Sequence, residues 1–276
     1  MKKIALYLLL FVFAFQTVIS IKLPITLPWN KEPEKQGTDR GIFIDLPNNS
    51  RIIVLQNDMF ALKQFIKKEC NQENYAIVNA ANTVLYLGTG VAGKIKELDR
   101  SGTVQKECDN LREKQGVQVQ VKKKIQEIPF FRTYEKSFPV STAVTTGSGD
   151  LKELGITKII HAIAPNCNEN GSAHERNNFE AYLDKTYQTI ISAMIHKELP
   201  VVACPSLATG TFRCDLAKSA RIAAQVVVSA LNGSKEPKTF ILVAFGDAEF
   251  KSYSEAFKTE YRNVIEREKL SIVANQ

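Results

Sequence analysis

Ile77-Val78-Asn79-Ala80-Ala81-Asn82, followed by Leu87-Gly88-Thr89-Gly90-Val91-Ala92-Gly93, reads as a strand, a glycine loop and the start of a helix. Tyr75 to Val78 are β-favouring and mostly apolar, and Val91, Ile95 and Leu98 then recur at helical spacing. Three glycines fall within six residues between them. Glycine lets the backbone approach an anion closely and take φ > 0, and the N–H groups that open the next helix carry partial positive charge. Such a loop can hold a phosphate. A tight strand-to-helix turn with no ligand would use the same residues. The asparagines favour the ligand: Asn79 and Asn82 close the strand at its C-terminal end, where open α/β sheets collect ligands. A carboxamide there can both donate to and accept from sugar hydroxyls.

Upstream, Gly41 to Leu46 and Arg51 to Leu55 are short apolar runs around Pro47-Asn48-Asn49-Ser50, the pattern of a β-hairpin. Asp58 stands at a strand-to-helix junction, and Met59, Leu62, Phe65 and Ile66 follow on one helical face that ends near Cys70 and Asn71. Downstream, the glycine loop and its helix run to about Gly102, and a polar, lysine-rich helix follows to Lys114. Between 115 and 140, Val117, Val119 and Val121 alternate like an edge strand, and Ile128-Pro129-Phe130-Phe131 is suited to covering something apolar. Val140 to Thr145 and Lys158 to Ala164 read as strands around a turn at Thr146 to Leu151.

Phe179, Tyr182, Leu183, Tyr187, Ile190, Ile191 and Met194 then hold one helical face. Val201 to Cys204 is a buried-type strand that opens into a loop, Ser206 to Arg213, and a helix for which Asp215 is a suitable N-cap. Thr239 to Phe245 is the last core strand and Tyr253 to Glu268 the last helix. Strands alternating with helices at this spacing predict a mostly parallel sheet with helices on both faces.

The chain has 276 residues, 24% of them charged, which suits one good-sized domain with a large core, a leader and short tails. A formal net charge of +7 favours anionic partners in general, phosphorylated ligands, nucleic acid or anionic lipid among them, although Lys122-Lys123-Lys124 is the one lysine run. The five cysteines, at 70, 108, 167, 204 and 214, form no CxxC pair and have no histidine at ligand spacing, so no metal site is expected. Any disulfide leaves an odd thiol. Residues 1–20 have the layout of a secretory signal peptide, with Lys2 and Lys3 before the apolar run Ile4 to Phe15 and small residues before a cut. The expectation is export, periplasmic or secreted, with an uncleaved membrane anchor as the alternative. Residues 21–40, with prolines at 24, 28 and 33, read as an extended lead-in.

Four segments together resemble the macro domain, a family known for binding ADP-ribose and, in some branches, for removing it from proteins. They are Asn57-Asp58-Met59; Ile77 to Gly93; Ala143 to Pro165, with Ile159-Ile160-His161-Ala162-Ile163-Ala164-Pro165 at its end; and Pro205 to Phe212. Order and spacing agree over residues 41–268, which leaves 269–276 as a C-terminal tail. The resemblance implies a three-layer α/β/α sandwich with a mixed, mostly parallel central sheet. It also implies roles. Asp58 accepts from the adenine amino group, or is a helix N-cap. Backbone N–H groups of Gly88, Thr89, Gly90 and Val91, and of Ala208, Thr209, Gly210, Thr211 and Phe212, hold the two phosphates. Asn82 holds the distal ribose and orients it for catalysis, with Asn79 as support or as a buried strand-end polar group. Phe212 covers a sugar face or packs in the core, Phe245 and Asp247 border the adenine, and His161 is a buried structural histidine rather than a base.

Departures from the family pattern bear on turnover. Ala92 stands where one hydrolase branch carries an aspartate, although other hydrolysing branches also have alanine there. Thr89 replaces a glycine and is strained if the loop needs φ > 0 at that position. Lys96 stands where histidine is common, and Arg213 replaces a loop glycine. No Gly-Gly-Gly with a nearby Gln-Glu-Glu occurs, which disfavours the poly-ADP-ribose glycohydrolase type. The expected function is therefore an exported macro domain that binds ADP-ribose, free or on a mono-ADP-ribosylated protein, and acts as a mono-ADP-ribosyl hydrolase without a cofactor. A reader with the same pocket and no turnover is the alternative. A nucleic-acid binder that uses adenine and phosphate contacts is the more distant one.

Overall fold

Arg40–Asp45 (β1) and Arg51–Gln56 (β2) form the expected hairpin, antiparallel from Arg40↔Gln56 to Asp45↔Arg51. The computed structural model describes residues 40–125 and 128–274, so the expected leader and nearly all of the lead-in lie outside the described residues. After β2 a 3-10 turn, Met59–Ala61, precedes α1 (Lys63–Cys70), which ends on Asn71 in the left-handed region at φ 51°. Tyr75–Ala81 is β3, and two helices follow, α2 (Gly90–Leu98) and α3 (Thr103–Gln115), separated at Gly102 by φ +66°.

The region between 115 and 140 departs from expectation. Val117–Ile125 (β4) is not an edge of the main sheet; it pairs antiparallel with Ile128–Ser137 (β5) in a separate two-stranded ribbon that starts at Val117↔Ser137. The main-sheet edge is instead Ala143–Gly147 (β6), antiparallel to Ile156–Ile163 (β7). Thr146 belongs to β6, and the connection is a 3-10 stretch, Gly149–Leu154.

A short helix absent from the sequence reading, α4 (Ala173–Asn177), begins with a capping box of Ser172 and Glu175. Then come α5 (Phe179–His196), β8 (Val201–Pro205), α6 (Leu216–Asn232), β9 (Thr239–Ala244) and α7 (Asp247–Ala274). Asp215 caps α6 as expected, accepting from the Lys218 N–H at 2.8 Å. The last helix is longer than its apolar stripe suggested: it starts six residues before Tyr253 and takes in most of the expected 269–276 tail.

Sheet order is β1-β2-β9-β8-β3-β7-β6, with four parallel pairings inside and an antiparallel pairing at each edge. One face packs Ile53, Leu55, Ile77, Ile159, Ala203 and Ile241 against Ile66, Ile95, Val104 and Cys108 of α1, α2 and α3. The other face is covered by α5, α6 and α7, whose buried residues include Tyr187, Ile190, Ala223, Val227, Tyr253 and Phe257. This is the three-layer α/β/α arrangement that the resemblance implied. Both central faces are dry because the inner strands are apolar at successive positions, as a sheet covered twice requires.

Candidate functional site

Four adjacent strands, β2, β9, β8 and β3, run parallel, so their C-terminal ends and the loops beyond them lie side by side over about 14 Å. Those loops carry Asn57-Asp58, Phe245 to Asp247, Ser206 to Cys214, and Asn82 to Gly93. β2 and β9 are paired along six residues, but β3 and β8 pair only at Ala76↔Val202 and Ile77↔Ala203. The two strands part before their C-terminal ends. That separation opens a crevice between the two glycine-bearing loops, at the end of the sheet where open α/β folds take ligands.

The glycine loop is held from below and open above. Asn82 Oδ1 accepts from the N–H groups of Val84 (3.2 Å) and Tyr86 (3.0 Å), and Nδ2 donates to Tyr86 O (2.8 Å). α3 braces the same segment through Gln105, which accepts from Leu87 N–H at 2.9 Å, and through Arg112, which donates to Val84 O at 2.9 Å. These contacts hold Leu85, 1% exposed, at φ +56°, a conformation that ordinarily costs a branched residue free energy. Gly90 takes φ +61°, and a Cβ there would meet nothing within 4 Å. Gly93 is needed for packing, since a Cβ would come within 2.7 Å of Gly88 O. Thr89 is the N-cap of α2 at φ −121°, extended backbone, so the expected strain at this position does not arise. No side chain caps α2, and its first N–H groups lack an intrahelical acceptor by geometry.

The loop after β8 is built differently. Arg213 N–H donates to Gly210 O and Cys214 N–H to Ala208 O, which leaves the amides of Thr209 to Phe212 without an acceptor among the described residues. Ala208 and Arg213 both adopt positive φ, at 65° and 54°. A disulfide, Cys167–Cys214, ties this loop to the segment after β7, and Cys167 N–H→Phe212 O and Asn168 Nδ2→Thr211 O, both 2.9 Å, reinforce the tie. Cys70, Cys108 and Cys204 remain as thiols. Glu249 of α7, which the sequence reading missed, joins this loop to the next one. Its Oε1 accepts from Ser206 Oγ (2.7 Å) and Thr209 Oγ1 (3.2 Å), and its Oε2 from Phe245 N–H (2.9 Å).

Beyond Glu249, Phe245 is 93% exposed and Asp247 accepts from Gln56 Nε2 at 3.1 Å. Asp58 Oδ1 accepts from Phe60 N–H at 2.9 Å, so the N-cap reading holds. A carboxylate has acceptor capacity left over after one such bond, so capping and an adenine contact are compatible. Phe212 is half-buried at the loop tip.

A family model described as the macro domain matches residues 78–223. A macro domain-containing protein of Caldanaerobacter subterraneus is 31% identical over 188 residues, 68% of this chain and 90% of that one. The chain belongs to the macro domain family. An O-acetyl-ADP-ribose deacetylase of Pantoea vagans is 28% identical over 176 residues, covering 63% of this chain and 84% of its own. Among solved structures, the Oceanobacillus iheyensis macrodomain with ADP superimposes with a TM-score of 0.63 at 18% identity, over 82% of this chain and all of that one.

Not every expected site residue of this macro domain reaches the crevice. Asn79 is 1% exposed and lies in register with His161 of β7, its Nδ2 3.1 Å from His161 Nδ1; it is the buried strand-end group and not a ligand contact. His161 is fully buried between Asn79, Thr146 Oγ1 (2.9 Å) and Cys108 Sγ (3.6 Å). Burial lowers its pKa to about 4 and raises that of Cys108 to about 12, so the neighbouring imidazole and thiol are a neutral structural pair and not a base and nucleophile. Ala92 is buried at 4% exposure and brings no acid or base. Asn82 is committed to its own loop, which leaves one amide hydrogen for a ribose hydroxyl. Among the described residues no group of three or more His, Cys, Asp or Glu side chains is disposed to hold a metal ion.

Proposed function

We propose that the crevice binds ADP-ribose, with adenine between Asp58 and Phe245, the diphosphate between the two loops, and the distal ribose at Asn82. One observation carries this reading: Gly90, at φ +61° with open space where a Cβ would project, sits beside the uncapped start of α2, a ready cradle for an anion. The unused amides of Thr209 to Phe212 supply the second half of the clasp. Phe245, left 93% exposed, supplies an aromatic face of the kind that stacks on a base.

Turnover is part of the proposal. The bond cleaved is one at the distal ribose of a mono-ADP-ribosylated acidic side chain or a related ester, and the similarity to a protein named an O-acetyl-ADP-ribose deacetylase supports it. The glycine loop, residues 82–93, itself contains no Asp, Glu or His. The reaction therefore relies on a water held between that loop and a phosphate, with the ribose oriented by the Asn82 turn. Export through residues 1–20 belongs to the same proposal, supported by the charged-then-apolar leader and by a disulfide, which persists in oxidising compartments. Calorimetry with ADP-ribose, run beside release of label from a protein mono-ADP-ribosylated on acidic residues, tests binding and turnover separately. Binding without release over hours leaves a reader, and no binding overturns the proposal. Export is checked by N-terminal sequencing, which should begin close to Ile21.

A further inference from the structure

The side chains of Tyr86 and Lys96 lie beside the glycine loop and have no part in the ligand contacts assigned above. Tyr86 is 51% exposed, whereas Leu85 and Leu87 on either side are each 1% exposed. Its backbone is the part of the loop that Asn82 grips, with Tyr86 N–H donating to Asn82 Oδ1 at 3.0 Å and Asn82 Nδ2 donating to Tyr86 O at 2.8 Å. Its ring runs along Gly88, where an added Cβ would lie 3.7 Å from Tyr86 Cδ1. Lys96, from α2, brings Nζ to 3.2 Å from Tyr86 Oη and 5.1 Å from the ring centroid.

That ammonium has no carboxylate partner among the described residues. Glu97, its chain neighbour, pairs with Lys94 at 2.8 Å. An exposed phenol with an unpaired cation held against it is poorly explained by folding alone, since an exposed cation–π contact stabilises by only about 0.5–1 kcal/mol.

We propose that Tyr86 and Lys96 form the acceptor side of the crevice, a shelf that selects ADP-ribose carried on an acidic peptide segment. This rests on the ADP-ribose reading above. If the distal ribose lies at Asn82, whatever is joined to it leaves the crevice past the residue Asn82 grips, which is Tyr86. Lys96 then meets the first side chains flanking the modified residue, and a carboxylate there gains a charge-assisted partner. A single ammonium suits an isolated carboxylate. A nucleic-acid strand would call for a track of cations along its phosphates, whereas the other basic residue of α2, Lys94, is already paired with Glu97.

The test uses the wild-type chain, Lys96→Glu and Tyr86→Ala with three probes: free ADP-ribose, a mono-ADP-ribosylated peptide flanked by glutamates, and the same peptide flanked by glutamines. Wild type should bind the glutamate peptide about 3- to 10-fold more tightly than the glutamine peptide, a preference that fades near ~0.5 M salt. Lys96→Glu should abolish or invert the preference while free ADP-ribose shifts by less than about twofold, and Tyr86→Ala should reduce the preference by a smaller factor. Equal affinity of the wild type for both peptides overturns the shelf. So does a Lys96→Glu loss that is the same for all three probes, because Lys96 would then act on the diphosphate. Failure of wild type to bind free ADP-ribose overturns the functional reading first, and the shelf with it.

Discussion

The two ends of the central sheet differ in a way that separates a site from a hole. At the N-terminal ends of β2, β8 and β9 lies a cavity of about 530 Å³, bordered by Asp45, Arg51, Glu69, Gln72 and Lys238. Its charges are already matched: Arg51 reaches Asp45 at 2.5 Å and Glu69 O at 3.0 Å, and Lys238, 6% exposed, reaches Glu236 at 3.4 Å. The C-terminal end is of another kind. It presents an uncapped helix start, a loop whose amides have no acceptor among the described residues, and a bare phenylalanine. Binding free energy comes from donors and apolar surface that the fold leaves unsatisfied, so the C-terminal end carries the candidate site.

The sharpest way to break that comparison is one substitution at each end. Gly90→Glu fills the cradle with a side chain and a like charge, so ADP-ribose binding should fall by at least about 100-fold while circular dichroism stays native. Arg51→Met at the other end should lower the melting temperature and leave affinity unaltered. Affinity loss in Arg51→Met would move the site to the cavity at the N-terminal ends of the strands.

Removing the staple under the second loop comes next. The Cys167–Cys214 bridge closes a span of 47 residues, so replacing both cysteines with serine should cost about 2–4 kcal/mol of stability, read by chemical denaturation. Affinity for ADP-ribose should fall too, because only the hydrogen bonds to Phe212 O and Thr211 O would then hold Thr209 to Phe212 against residues 167 and 168. Unchanged affinity in the serine variant would show that Glu249 and those two hydrogen bonds hold the loop without the bridge.

The buried cluster behind the crevice supplies a pH dependence. His161 has a folded pKa of about 4 against an ordinary 6.5, lowered by burial. Below pH 6.5 the unfolded chain takes up a proton that the folded chain refuses until about pH 4, so stability is complete above 6.5 and falls across that interval. The loss should reach roughly 3 kcal/mol. His161→Gln should flatten the dependence; a slope that survives the substitution would assign it to carboxylates.

Asp58→Asn has the smallest expected effect and discriminates best. Asparagine caps a helix start as well as aspartate, so the melting temperature should hold, while the exchange of an acceptor oxygen for an NH2 facing the adenine amino group weakens binding by about 1 kcal/mol or more. Equal affinity in the two proteins would reduce Asp58 to a cap.

Much of this was legible in the chain. Periodicity located β2, β3, β8, β9 and α5, and glycine spacing located the cradle, because strand, loop and helix start are written within a few consecutive residues. The same locality set the limits. Tyr253 marks where the stripe of α7 becomes regular, six residues after the helix begins, and the valines of β4 alternate whether their partner is the main sheet or β5.

By itself, the sequence determined the alternation of strands and helices, the family, the cap at Asp215, and the glycines that bring an anion to a helix start. Only the tertiary structure decided that Asn79 faces His161 instead of the crevice, that Asn82 spends its carboxamide on Tyr86, and that Cys167 pairs with Cys214 out of five cysteines. It also decided that Glu249, four positions after Phe245, reaches across to Ser206, 43 positions away. The reason is physical: backbone conformation responds to neighbours a few residues off, whereas a side chain's partner depends on which distant segments the sheet order brings together, and a strand's local pattern does not record it.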